Sequence, residues 1–327
     1  MGSLSQEQVG FFEREGYLIV PRIFDPHDLE PLRREMESII DHEARRLHSE
    51  GKLTRLHEDA PFETRLALIY EDAPENGLAI IQALEGRAGG GHKGIEMFRV
   101  ITHPKLLAVV ESLTGPEIIG SSVYRIRPKL PKINRGIVPW HQDSGYFVEL
   151  CDRHLILTVW VPLVNATIEN GCMQILPRAH RQGIVTHHTG GNAGFLVIED
   201  KDLPGNPREA IVAECPLGGA VLMTNLTPHC STENNSDHIR WSVDLRYQSA
   251  DAPNNTGLWP TEELADQDSE LVQYQMACYP PEADFVVQSK LHPERVADFE
   301  TFVRRRALFD NAGVIAYPRR GWTPIQA

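Results

Sequence analysis

Three residues in this chain have the types and spacing to hold a metal ion. His141 and Asp143 sit two apart in Pro139-Trp140-His141-Gln142-Asp143, and His229 lies far downstream in Thr227-Pro228-His229. Side chains two apart on an extended strand point the same way, so the pair is expected to grip one ion from one side. His229 then completes a three-cornered face. Two imidazoles and one carboxylate leave the opposite face of an octahedral ion open, which is the facial triad of non-haem Fe(II) oxygenases. Near neutral pH an imidazole is largely neutral and a carboxylate ionised, the forms that bind a metal. The chain has 14 histidines, and most must be surface or packing residues. His180, His187 and His188 compete for the ligand role; a structural hydrogen bond suits His180.

Arg240 follows His229 by 11 residues in the strand-like run Ile239 to Tyr247. Alternation puts Ile239, Trp241, Val243, Leu245 and Tyr247 on one apolar face and Arg240, Ser242, Asp244 and Arg246 on the other. That polar row is either a solvated face or the wall of a polar barrel mouth. Arg125 and Arg127 share one face of an earlier strand. Thr158 and Trp160 share a face of a later one, and both are either pocket lining or ordinary packing.

The ordered motifs resemble the phytanoyl-CoA dioxygenase family of Fe(II)/2-oxoglutarate-dependent oxygenases. The matching text is Trp140-His141-Gln142-Asp143, then Leu157 to Leu163, then Glu169-Asn170-Gly171-Cys172-Met173 and Leu176-Pro177 with His180. Pro228-His229-Cys230-Ser231 and Arg240 close the match, which runs from about residue 5 to about residue 248. The resemblance implies Fe(II) on His141, Asp143 and His229, with 2-oxoglutarate and O2 as co-substrates. It implies that Arg240 holds the distal carboxylate of 2-oxoglutarate, through the two parallel hydrogen bonds a guanidinium offers, with help from Ser231. A basic side chain at Arg127 or Arg125, and Trp160, are expected beside the co-substrate. The implied reaction hydroxylates an unactivated C–H bond of a small-molecule metabolite, with succinate and CO2 as co-products. Asp143 favours hydroxylation or desaturation, because the related halogenases lack this carboxylate. The rival readings are a cupin-like metalloenzyme without 2-oxoglutarate and a catalytically silent metal-binding homologue.

Bulk properties fit an enzyme acting on small molecules. The formal net charge of −13 opposes binding to phosphate backbones or acidic membranes, so no nucleic-acid partner is expected. No apolar run is long enough for a membrane span, and the N-terminus lacks a secretory pattern. Five cysteines, an odd number without a C-x-x-C pair, suit a reducing cytoplasmic setting. Cys230 is expected to pack away from the metal. The run Lys129, Lys132 and Arg135 reads as a solvated loop rather than a coenzyme A site. Oligomeric state is not legible.

The elements that position these residues read as mainly β with flanking helices, around a double-stranded β-helix (jelly-roll, cupin-like) core. A single oxygenase domain over 1–327 is expected, with a helical part to about 115, the core over about 116–250 and an extension over about 251–327. Ser5-Gln6-Glu7-Gln8 is a capping box opening a helix that stops near Gly16. Asp25-Pro26 opens a second helix with an apolar stripe of Leu29, Leu32, Met36, Ile39, Ile40 and Leu47. A third helix spans about 104–114 and a last one about 293–308. Strands are expected near 17–20, 118–119, 123–127, 155–163, 210–215 and 220–224. The glycine-rich stretch 86–94 and the loop 186–209 are candidate lids, or plain surface connections.

Overall fold

The computed structural model describes residues 2–85, 92–133, 136–147, 149–191, 194–250, 252, 283–311 and 321–325. Helix α1 spans Gln6–Glu15 and opens with the capping box: Ser5 Oγ accepts from Gln8 N, and Gln8 returns the bond to Ser5 N. Gly16, at φ 82°, ends it, and β1 (Tyr17–Val20) follows. Helix α2 (Pro26–Ser49) starts with proline in its first turn and buries Leu29, Leu32, Met36, Ile40, Ala44 and Leu47. Helices α3 (Arg65–Asp72), α4 (Pro74–Glu85), α5 (Ile95–Ile101) and α6 (Pro104–Thr114) complete the helical part. The sequence reading found α6 but missed α3 to α5.

The strands are β2 (Ile118–Gly120), β3 (Arg125–Lys129), β4 (Ile156–Pro162), β5 (Met173–Ile175), β6 (His188–Thr189), β7 (Ile211–Ala213), β8 (Ala220–Met223), β9 (His229–Ser231), β10 (Arg240–Ser249) and β11 (Phe285–Gln288). Helix α7 (Phe299–Asn311) and the short β12 (Thr323–Pro324) follow. The large sheet runs β1-β8-β4-β10-β2-β11 with every pairing antiparallel, and β3 lies on β10 beside β2. The small sheet runs β7-β5-β9, also antiparallel. This is the jelly-roll core with flanking helices.

Alternation along β4 and β10 decides what lies on each side of the large sheet. Leu157, Val159, Val161, Trp241, Val243, Leu245 and Tyr247 join α2, α4 and α6 in the main apolar core. Each such buried side chain contributes about 1.5–3 kcal/mol. Trp241 stacks on Phe62 with ring centroids 4.8 Å apart. On the other side, Trp160, Val221 and Met223 pack against Met173, Ile175 and Ala213 of the small sheet. The polar row of β10 therefore points between the two sheets, not into bulk water.

Three expectations need correcting. The last helix begins at Phe299, not near 293: Pro293–Arg295 is an isolated 3-10 turn, and Asp298 Oδ1 accepts from Thr301 N to start α7. The segment 186–209 is not a plain loop, because His188 bridges Val197 and two 3-10 turns follow. Lys129 is not solvated; it ends β3 and is 2% exposed. Arg135, Cys278 and residues 86–91 of the expected lid lie outside the described residues, and the four described cysteines are buried and form no disulfide with one another. No described helix is long and apolar enough to cross a membrane.

Candidate metal centre and co-substrate cavity

His141 and His229 meet through their backbones. His141 N donates to His229 O at 3.0 Å, and His229 N donates to His141 O at 2.9 Å. This pairing extends the small sheet by one bridge and sets the two rings 4.2 Å apart. Each ring is then fixed by its own chain: His141 Nδ1 lies 2.9 Å from Pro139 O, and His229 Nδ1 lies 3.0 Å from Thr227 O. A carbonyl only accepts, so both Nδ1 atoms carry the hydrogen and both Nε2 lone pairs are left for a metal.

Asp143 stands at the head of a 3-10 turn, Asp143–Tyr146, rather than on a continued strand. Its orientation comes from the spacer. Gln142 donates its side-chain amide to Gly183 O and Leu226 O, accepts from Val185 N, and gives its own N–H to His187 Nε2. Asp143 Oδ1 then lies 3.8 Å from His141 Nε2, and the ligand atoms of His141, Asp143 and His229 all fall within 4.8 Å of one another. His187 and His180 are thereby structural, the latter bonded to Glu13 O. His188 instead faces Asp202 and Glu199.

Two partners hold the Asp143 carboxylate. Thr158 Oγ1 donates to Oδ2, and Arg246 Nη2 donates to Oδ1 at 3.1 Å. Burial works against ionisation here, but Arg246, the two imidazoles and Thr158 offset it and hold the acid well below the usual carboxylate range. Burial, and then His229, push the His141 imidazole down, which keeps it neutral. The donor set and protonation states fit a divalent metal with nitrogen and oxygen ligands.

A cavity joins the triad to Arg127, Trp160, Ser231, Arg240 and Asp244. Arg240 is 2% exposed, donates from Nη1 to Ser242 Oγ at 2.6 Å, and sits 5.1 Å from the Trp160 ring. Its Nε has no hydrogen-bond partner among the described residues. Burial pulls its pKa down to about 10, with Asp244 and Cys172 opposing and Arg127 adding to the fall. Arg127, not Arg125, lines the cavity, and it pairs with Asp244. Asp244 Oδ1 has no hydrogen-bond partner among the described residues. Ser231 Oγ accepts from Lys129 Nζ and Val138 N. Cys230 turns its sulfur toward Gln174 Oε1, 3.8 Å away. Every residue expected at the site is thus brought to one cavity. Arg246, Lys129 and Asp244 were given no site role by the sequence reading; their places on polar strand faces were the only signal.

The family model of phytanoyl-CoA dioxygenase (PhyH) matches residues 12–242. The peroxisomal phytanoyl-CoA dioxygenase of Rattus norvegicus is 26% identical over 256 residues, covering 76% of this chain and 69% of the relative. Phytanoyl-CoA dioxygenase domain-containing protein 1 of Mus musculus is 26% identical over 297 residues, covering 81% of this chain and 98% of the relative. Among solved structures, EctD from S. alaskensis, determined with 2-oxoglutarate and 5-hydroxyectoine, has a similar fold. Its TM-score is 0.51 at 18% identity, covering 76% of this chain and 77% of that one. Family match, fold and donor set place the chain in the class of iron- and 2-oxoglutarate-dependent dioxygenases. It belongs to the phytanoyl-CoA dioxygenase family.

Proposed function

We propose that this chain is one oxygenase domain that hydroxylates an unactivated C–H bond of a small-molecule metabolite. Its co-products are succinate and CO2. His141, Asp143 and His229 hold Fe(II). Arg240 and Ser231 hold the distal carboxylate of 2-oxoglutarate, with Arg127 and Trp160 along its path. The observation that carries this reading is Arg240: a fully buried guanidinium, without an ion-pair partner among the described residues, in one cavity with a buried His-Asp-His set. A buried cation needs a counter-charge, and a dicarboxylate that also reaches the metal supplies it.

When bound, the iron supplies O2 activation, and the balance is R–H, O2 and 2-oxoglutarate giving R–OH, succinate and CO2. The protein's own part is geometric. The Nδ1 bonds of both histidines fix their rings, and Thr158 and Arg246 keep Asp143 ionised and aimed. Trp160, Met173 and Met223 line the cavity with apolar surface that disfavours water. Phe195 stands beside a cavity-lining group, its ring 5.9 Å from the Arg127 cation, and Leu196 N donates to Tyr146 OH at 2.9 Å. A coenzyme A surface gains no support from the basic run before the triad, because Lys129 points inward.

The test is succinate formation by Fe(II)-loaded protein supplied with 2-oxoglutarate and O2, screened against a metabolite library with product masses measured. A product heavier by one oxygen is expected. Metal-loaded wild type that does not bind 2-oxoglutarate overturns the reading in favour of a cupin-like enzyme using another chemistry.

A further inference from the structure

Lys129 is built into the site more deliberately than a packing lysine needs to be. Its stem runs between two glycines. A Cβ at Gly171 would stand 2.7 Å from Lys129 Cδ, and one at Gly136 would stand 3.2 Å from Lys129 Cγ. Gly171 also has φ 85°, so the turn after Asn170 requires glycine for its backbone and leaves the channel the lysine occupies. At the end of the channel, Lys129 Nζ donates to Ser231 Oγ at 2.8 Å and to Thr232 O.

The charged neighbours of Nζ among the described residues are cations. Arg240 is the register partner of Lys129 on β10, and Arg127 lies on the same strand. The thiols of Cys230 on β9 and Cys172 before β5 are the other titratable groups facing it. Asp244 is engaged with Arg127. A neutral amine has two N–H donors and an ammonium has three; the site offers two acceptors. Burial first, and Arg240 next, push this lysine down to about 6. Ser231 is equally committed. It accepts from Lys129 and from Val138 N, so only its hydrogen is left to give, and that goes to Gly136 O at a long 3.4 Å.

We propose that Lys129 rests as a neutral amine and takes up a proton when the distal carboxylate of a 2-oxo dicarboxylate docks at Arg240 and Ser231. Lys129 is then a positioning residue that makes co-substrate binding proton-coupled. The incoming carboxylate brings a counter-charge to Arg240, and the same negative charge favours the protonated form of Lys129. The proton comes from solvent, and no covalent bond changes. This inference rests on the co-substrate reading above.

The experiment is calorimetric titration of 2-oxoglutarate into Fe(II)-loaded protein without O2, in buffers of different ionisation enthalpy. Uptake approaching one proton per acid is expected between about pH 7 and pH 8, and affinity should weaken about tenfold across that unit. 2-Oxobutyrate, which keeps the chelating end and lacks the distal carboxylate, should bind without the uptake. Lys129→Met keeps the stem between the glycines; it should abolish the uptake and flatten the pH dependence with Fe(II) binding unchanged. Equal uptake in variant and wild type overturns the proposal, as does a flat wild-type affinity from pH 7 to pH 8. If the variant does not fold, the wild-type pH series and the 2-oxobutyrate comparison still decide. Wild type that fails to bind 2-oxoglutarate refutes the co-substrate reading itself; binding without proton uptake refutes only the role of Lys129.

Discussion

Arg240→Met separates binding from folding at one position. The methionine stem can still cover Trp160, while the guanidinium and its charge are removed. On the folding side, two interactions are lost. The bond from the charged Nη1 to Ser242 Oγ is worth about 1.5–3 kcal/mol net. The cation over Trp160 at 5.1 Å is worth about 2 kcal/mol at most. Against these stands the relief of burying a cation without an ion-pair partner, on the order of several kcal/mol. The apo variant is therefore expected to be as stable as wild type within about 2 kcal/mol, or more stable. On the binding side, 2-oxoglutarate loses the partner of its distal carboxylate in a desolvated site, which costs roughly 2–5 kcal/mol. At about 1.4 kcal/mol per tenfold, Kd rises from about thirtyfold to a few thousandfold. Anaerobic titration of the metal-loaded protein measures the second effect, and thermal unfolding of the apo protein measures the first. An unchanged 2-oxoglutarate Kd would refute the reasoning and point to Arg127 as the anchor. A variant that loses iron as well would show that Arg240 is structural.

Three further outcomes follow from the same geometry. His141→Ala and His229→Ala should each lose bound iron by elemental analysis and lose succinate production; wild-type activity in either removes that residue from the metal site. Thr158→Val deletes the hydroxyl on Asp143 Oδ2 and should weaken Fe(II) binding about 10- to 100-fold in a competitive chelator titration, with 2-oxoglutarate affinity at saturating metal nearly unchanged. Gly171→Ala places a methyl against Lys129 Cδ and Thr232 O at a positive φ. It should cost at least about 1–3 kcal/mol in denaturant unfolding, and an unchanged midpoint would show that the turn relaxes without displacing the lysine.

The candidate metal ligands were legible because residue type and spacing are local facts, yet the reason the pair converges is not the one the spacing suggested. Strand alternation would carry His141 and Asp143 to one side. In the structure Gln142 is extended and Asp143 already begins a 3-10 turn. The shared orientation depends on four bonds from Gln142 to segments 40 or more residues away in sequence. The polar row of β10 was legible as alternation, and its inward direction was open until the helices were seen to cover the apolar face. Helices α3 and α5 have 8 and 7 residues, too short for a periodic signal to rise above noise. The last helix was misplaced because Pro293 resembles a first helical residue, whereas Asp298 supplies the cap that holds. Lys129 was misread because its neighbours in sequence, Pro131 and Lys132, mark a loop. Its burial comes from Gly171 and Ser231, which no local pattern connects to it.

One strand accounts for the coupling between the two ends of the site. β10 runs ten residues without interruption and is paired along its length by β3, β2 and β4. Its outer face is locked into the main core by Trp241, Val243, Leu245 and Tyr247. Its inner face therefore has little freedom to shift. Arg246 at one end fixes Asp143, and Arg240 at the other sits beside Ser242 and Trp160. A ligand that must touch the metal and a distant cation together needs both held at constant separation, because small misplacements cost binding and rate steeply. A β-strand packed on one face and paired on both edges provides that constancy; a loop would not. The same rigidity explains why the polar members of the row are tolerated. Their burial is compensated by Asp143, Asp244 and Ser242. Of the row's two guanidiniums, Arg246 pairs with Asp143 while Arg240 has no ion-pair partner among the described residues, which is why the proposed co-substrate carboxylate is placed there.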